Sequence, residues 1–290
     1  MTAFLGVLID GLSYGALIFL MAIGLSVTLG LMGFVNLAHT ALAMVGGYFT
    51  VLFGERMGWP FGWAVLGAVA VATVLGVVLE RSLFRLIYRR DALVQVLLTI
   101  GVMMMISAAM IYFFGPALQM VQIPEALRGR VSLGVLDASR YRLMLLGISL
   151  VLVVILQWGF ERTRFGTMIR AAVDNQRVAA ALGVPIQAVF MATFAVGTAL
   201  AALGGALGVE ALGLDPAFAM KNLILALLVV VVGGAGSIMG TFAASMMVAV
   251  FDIACKYYVP EIGAFAMYGL MLLLLMVRPQ GIRGAKGASA

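Results

Sequence analysis

Charge is scarce in this chain: only 10% of its 290 residues are charged, 18 basic and 12 acidic. A soluble domain carries about a quarter charged residues, so no soluble domain of any size fits here. The single cysteine, Cys255, excludes an internal disulfide and a cysteine metal cluster, and says nothing about compartment. The single histidine, His39, cannot make a metal site alone, and no carboxylate lies within helical reach of it. Clustered catalytic groups are missing too, which leaves a triad or hydrolase without support and no catalytic residue to name. Spans of alternating apolar and polar residues are absent, which removes the membrane barrel.

What is present is hydrocarbon. Hydrophobic residues make up 64% of the sequence and the mean hydropathy is +1.16, the composition of an integral membrane protein. Because lipid offers no hydrogen-bond partners to the backbone, the spans must be helical. Apolar runs bounded by charges and turn signals fall at about 4–30, 40–54, 60–80, 92–114, 142–160, 187–209, 217–233, 237–254 and 262–277. Residues 1–290 are thus expected to form a single all-α, polytopic bundle of about eight to ten transmembrane or re-entrant helices. Runs 40–54 and 217–233 are short for a hydrocarbon core of about 30 Å and are expected to be tilted, broken or buried among neighbours. The first run, from Phe4, lacks a basic n-region and a cleavage site and reads as a retained helix.

Basic residues cluster at Arg81, Arg85, Arg89 and Arg90, at Arg162, Arg164, Arg170 and Arg177, and at Arg278, Arg283 and Lys286. The positive-inside rule makes these three regions cytoplasmic. Keeping Arg278 on that side requires four crossings after residue 187, hence a tight break at Gly233, Gly234, Gly236 and Gly240 rather than one long helix. Loop 115–142 and the N-terminus are then external. The formal charge of +6 is a topology signal spread over membrane-proximal loops, not a nucleic-acid footprint.

Within this frame Asn36 and His39 form a distinctive polar pair. Either they satisfy backbone groups at a helix break or they line a solute path, since polar groups at membrane depth usually face a cavity. Asp10, Glu80, Glu210, Lys221 and Asp252 sit in or beside apolar runs; Glu80 and Glu210 read as interfacial, Asp10 and Asp252 as buried partners or relay groups. Gly197, Ala201, Gly205 and Gly208 have the spacing of a helix-packing seam. GGAGSIMG at Gly233 to Gly240 lacks the Gly-Lys-Ser/Thr ending of a phosphate loop, so no nucleotide binding is assigned to it. The 20 methionines show no repeated ligand spacing and read as core filler.

The stretch Glu161 to Pro185, ERTRFGTMIRAAVDNQRVAAALGVP, is a charged, helix-forming island between apolar runs. Arg170, Asp174 and Arg177, at spacings of four and three, would form one charged face of a short helix. Ile169, Ala172, Val173, Ala179, Ala180 and Leu182 supply apolar neighbours, and Gly183 and Pro185 a stop. A helix or helix pair results, either resting on lipid headgroups or docking a cytosolic subunit.

Several of these segments, in order, resemble the permease subunits of bacterial ABC importers for branched-chain amino acids, of the LivH type. GLSYGALIFLMAIGLSVTLGLMGFVNLAH at Gly11 to His39 is similar to the family's N-terminal signature, with Leu37 where its Asn-Phe-Ala-His element has Phe. RTRFGTMIRAAVDNQRVAAALGV resembles its cytoplasmic loop, with Gly166, Arg170, Ala171, Ala179 and Gly183 in register. VVGGAGSIMGTFAAS and VRPQGIRG resemble its late glycine turn and C-terminal ending. The resemblance implies a bacterial inner-membrane complex of two permease subunits, identical or homologous, two cytosolic ATP-binding subunits that hold ATP and Mg, and an external solute-binding protein. This chain would hold no cofactor. Loop 161–186 would be the coupling loop, with Gly166, Arg170, Asp174, Ala179 and Gly183 contacting the ATPase; substrate-facing side chains do not carry over, and Asn36 and His39 on the path is a reading of their polarity alone. Loop 115–142 has its own sequence, and related permeases move urea, short amides or other small polar solutes. A stand-alone secondary transporter or channel would instead need buried charged pairs or a selectivity ring, of which the sequence offers few. A membrane-embedded enzyme is a more distant rival, since clustered catalytic groups are missing.

Overall fold

The computed structural model describes residues 2–88, 90–132 and 137–277. Arg89 and the C-terminal Arg278, Arg283 and Lys286, with most of the VRPQGIRG ending, lie outside the described residues.

Every expected apolar run is a helix. They are α1 (Thr2–Met32), α2 (His39–Val51), α3 (Phe61–Leu79) with the short α4 (Arg85–Ile87) at its end, α5 (Ala92–Phe114) and α6 (Arg140–Arg162). After the island's α7 (Arg164–Asp174) and α8 (Gln176–Ala181) follow α9 (Ile186–Leu212), α10 (Phe218–Gly233), α11 (Ile238–Tyr258) and α12 (Pro260–Val277). Among the described residues six helices are long and apolar enough to cross a membrane. The two short runs, α2 and α10, are buried among their neighbours: twelve of the thirteen α2 residues are buried, and α2 extends by a π-helical turn, Leu52–Arg56. A second π turn, Glu80–Phe84, links α3 to α4. Among the described residues the one departure from helix is a hairpin in loop 115–139, where β1 (Arg130–Ser132) pairs antiparallel with β2 (Asp137–Ser139).

Burial separates the helices by role. α1 is apolar all round and buried along most of its length, which places it at the centre of the bundle. α5 and α6 turn Leu97, Met104, Met105, Val151, Val154 and Trp158 outward, surface suited to lipid.

Close helix approach rests on glycine. A Cβ on Gly205 would fall on the Ala43 carbonyl oxygen, and one on Gly197 would lie 3.2 Å from the Gly24 Cα, so α9 packs backbone to backbone on α2 and α1. Gly208, expected in the same seam, meets only Leu212 of its own helix. The turn between α10 and α11 holds Gly234 and Gly236 at φ 87° and 82°, conformations that a side chain would strain. It packs on α1 through Gly30, and the Gly236 N–H donates to the Ser26 carbonyl at 2.9 Å.

The connections gather at two ends. Segment 33–38, residues 80–91, the island and the glycine turn share one end, tied by bonds such as Val35 to Gln95 and Arg85 to Gln187. The N-terminus, loop 115–139 and the α9–α10 turn share the other, tied by the Asp10–Arg142 ion pair, the Glu55–Gln122 bond and a short Gln119–Leu214 bridge.

Candidate functional site

Asn36 and His39 are both fully buried, but they do different things. The Asn36 Oδ1 accepts from the Ala38 N–H at 3.1 Å and so caps the break between α1 and α2. Neither imidazole nitrogen of His39 has a hydrogen-bond partner among protein groups. Segment 33–38 turns back beside α1, so that His39 packs against Gly24, whose added Cβ would strike both the imidazole and the Gly197 carbonyl. Gly24 is eight residues before Met32, placing His39 about 12 Å in from that end of α1 at 1.5 Å per residue. The imidazole therefore stands inside the bundle, where α1, α2 and α9 meet.

Other orphaned polar atoms lie in the break and on α2 and α9: the Asn36 Nδ2, Thr40 Oγ1, Thr193 Oγ1 and Thr198 Oγ1 are buried without a partner. Each such group costs about 1–3 kcal/mol when left unmade. α2 and α9 thus carry unmet donors and acceptors, of which Thr198 stands against Gly76 of α3.

The island is a helix pair, broken at Asn175. The Asn175 Oδ1 accepts from the backbone N–H groups of Arg177 and Val178, both at 3.1 Å, and starts α8 as its N-cap. This corrects the expectation that Arg170, Asp174 and Arg177 share one helix face: the cap separates Asp174 on α7 from Arg177 on α8, and no ion pair joins the three. Arg170 instead donates to the Phe160 carbonyl at the end of α6 and to Thr167. Gly166 is required at its place because a Cβ there would run into that same Phe160 carbonyl. Ala179 is buried at 2%, and its carbonyl accepts from the Val184 N–H at 3.0 Å. Gly183 sits at φ 86° in open space, so glycine is needed for the turn and not for room. Ile169 and Ala172 face the bundle, whereas Val173, Val178 and Leu182 are 41%, 53% and 77% exposed beside the exposed Asp174 and Arg177.

Residues 7–277 match the family described as "Branched-chain amino acid transport system / permease component". The chain belongs to this permease family. It is 24% identical to the high-affinity branched-chain amino acid transport system permease protein LivH of Escherichia coli (strain K12), across 97% of this chain and 96% of that one. It is 25% identical to the corresponding permease protein BraD of Pseudomonas aeruginosa, across 96% and 94%. To a probable LivH permease of Methanocaldococcus jannaschii it is 24% identical, across 93% and 90%. No solved structure matches. Its relatives are permease subunits rather than enzymes, and the chain is an integral membrane protein.

Among the described residues three ion pairs hold acidic residues of the permease. Asp10 bonds Arg142, Asp215 bonds Lys221, and Asp252, 2% exposed, bonds Lys256 at 2.6 Å. All three pairs lie toward the end opposite the island, whereas the island-end arginines form no ion pair among the described residues. Glu210 is exposed as expected. Glu80, at the island end, is 2% exposed and accepts from the Tyr88 hydroxyl at 2.9 Å. The π turn rotates it inward, away from the exposed Arg81 beside it. Just past the end of that span, burial first and then the Glu80 carboxylate push the Tyr88 phenol well up, keeping it a donor. A cleft of about 690 Å³ between α2, α3 and α5 is lined almost wholly by apolar side chains. A smaller one, about 480 Å³, lies at the island's base between Arg81, Arg85, Val184 and Gln187. Among the described residues no group of His, Cys, Asp and Glu is placed to hold a metal. Gln95, Thr193 and Thr198 were passed over in the sequence; a lone buried amide in the apolar run of α5 was the available signal.

Proposed function

We propose that this permease is the membrane subunit of an ABC importer that moves branched-chain amino acids inward, driven by ATP hydrolysis in cytosolic partner subunits. It works beside a second permease, identical or homologous, in the bacterial inner membrane, with an external solute-binding protein delivering cargo. Mg and ATP belong to the partners; this chain's task is mechanical.

The observation that carries the reading is the island. Its inner face is fixed to the bundle by Gly166, Ile169, Ala172 and Ala179, while Val173, Asp174, Arg177, Val178 and Leu182 face outward. Exposed apolar side chains rimmed by charge outside a membrane bundle suit a protein partner. The unpaired arginines put this end in the cytoplasm, where an ATPase would meet it. Gly166, Arg170 and Ala179 hold the island in place, Asp174 contributes to the contact, and Gly183 sets the turn into α9. Movement of the island then reaches α9 directly, and α9 touches the Gly24–His39 contact at Gly197. Asn36 and His39 stand on the solute path, where the unmet polar atoms of α2 and α9 offer hydrogen bonds to a passing amino acid.

Co-expression with the genomically adjacent open reading frames, purification and reconstitution in liposomes test this. The expected result is co-purification of an ATP-binding subunit and ATP-dependent leucine uptake that isoleucine and valine suppress. Uptake suppressed only by urea or short amides would reassign the cargo. Transport by the chain alone, with no ATPase attached, would overturn the reading.

A further inference from the structure

Gln95 is a neutral amide, 4% exposed, one turn inside the apolar helix α5. Its Oε1 accepts from the backbone N–H of Val35 at 3.1 Å, in the segment that carries Asn36 and His39. Its Nε2 donates to the carbonyls of Ile87, Tyr88 and Arg90 at 3.3, 3.4 and 3.1 Å. Of these carbonyls, that of Ile87 also accepts from the Arg90 N–H at 2.9 Å. The amide orientation follows from chemistry, since turning it over would set acceptor against acceptor and donor against donor. One side chain thus joins two otherwise separate backbones.

Each backbone leads somewhere. The 80–90 strip is tied to the first turns of α9, next to the island: Arg85 donates to the Gln187 Oε1 at 2.6 Å, and Arg81 points its Nε at the Met191 sulfur at 3.2 Å. Aromatic contacts run in parallel, with Tyr88 against Phe190 at 6.0 Å and Phe84 against Phe194 at 5.6 Å between ring centres. On the other side, Phe34 packs on both Phe84 and Tyr88, at 5.5 and 5.1 Å. Thr99, fully buried one turn beyond Gln95, holds the Gln95 carbonyl at 2.8 Å.

We propose that Gln95 is a positioning residue for transport: it fastens segment 33–39, and with it Asn36 and His39, to the strip that follows the island. The proposal rests on the transport function above. Phe34 supplies apolar contact along the same route, but an aromatic face tolerates sliding, whereas the directional bonds of Gln95 fix register. When the island and the first turn of α9 move, the 80–90 strip moves with them, and the amide carries Val35 along. Gln95 is itself buried, so removing either polar end takes from a backbone group the partner it has here.

Two substitutions separate the halves of the link. Gln95→Met keeps the bulk and removes both polar ends; Gln95→Glu keeps the acceptor for Val35 and sets a carboxylate against the carbonyls of 87, 88 and 90. The full complex, reconstituted with its ATP-binding subunits, is read in two ways: hydrogen exchange of peptides covering 33–42, and leucine moved per ATP hydrolysed. In Gln95→Met the Val35 amide should exchange roughly tenfold faster, and leucine per ATP should fall by about tenfold while ATP hydrolysis persists. Gln95→Glu should keep Val35 protected and still lose leucine per ATP. Unchanged exchange in Gln95→Met, or transport and hydrolysis falling in proportion in both variants, would overturn the proposal. A wild-type complex that hydrolyses ATP yet moves no amino acid would defeat the transport reading itself, and the proposal would fall with it; the exchange data would still show whether Gln95 holds Val35.

Discussion

Gly24→Ala adds one methyl group at the point where α1, α9 and His39 meet. That carbon would lie 2.5 Å from the His39 Cε1 and closer still to the Nε2 and to the Gly197 carbonyl oxygen. Carbon atoms rest at about 3.5–4.0 Å from one another, so roughly 1 Å of separation is required. The imidazole can swing, but the Gly197 carbonyl belongs to the backbone of α9, and the two helices must part. Overpacking of this kind costs about 1–3 kcal/mol. Gly6, on the same helix with nothing within 4 Å, is the control: Gly6→Ala should gain about 0.5–1 kcal/mol through helix propensity. Unfolding by titration with denaturing detergent in mixed micelles measures both, and the two variants should differ by about 2 kcal/mol or more. Leucine uptake should fall in Gly24→Ala alone. The double variant Gly24→Ala/His39→Ala should recover part of the stability, because removing the imidazole relieves one of two obstacles, with an interaction energy of about 0.5–3 kcal/mol. If Gly24→Ala proves as stable and as active as Gly6→Ala, the backbone contact between α1 and α9 does not exist as described.

The outward face of the island predicts that Asp174→Arg lowers ATP-driven uptake with stability within about 0.5 kcal/mol of wild type, read by liposome transport beside detergent unfolding; normal uptake would reduce the island to a lipid-facing helix. Gly183→Trp should also impair uptake and cost about 1–2 kcal/mol, since its φ of 86° strains any side chain while the space around it is open. Tyr88→Phe strands the buried Glu80 carboxylate and should cost about 1–3 kcal/mol by the same unfolding titration. By contrast, Arg142→Ala should cost no more than about 1 kcal/mol and less in high salt, because the Asp10–Arg142 pair is 46% and 41% exposed.

How far the sequence carried depends on the kind of signal. Apolar runs gave every long helix of the bundle, because hydropathy over twenty residues is a local property that the bilayer requirement makes decisive. The glycine break at 233–240 was legible for a similar reason: four glycines in eight residues, and a crossing count that needed a turn. Single charges were read less well. Glu80 beside Arg81 reads as interfacial, but its bond from Tyr88, eight residues on, passes through a π turn, which has no dependable sequence mark. The shared face of Arg170, Asp174 and Arg177 failed for a nearer cause. Asn175 between them is a strong N-cap, so one helix became two.

The sequence by itself determined that this chain spans a membrane as a helical bundle, where its breaks fall, and which segments mark its family. These follow from solvent chemistry and local order. Only the tertiary structure decided that His39 lies inside the bundle against Gly24 and Gly197, that Gln95 joins α4 to the segment ahead of it, and which side of the island faces outward. Each of those depends on backbones distant in sequence coming within contact. Depth, rotation and partnership of that kind are set by helix packing, which hydropathy does not encode.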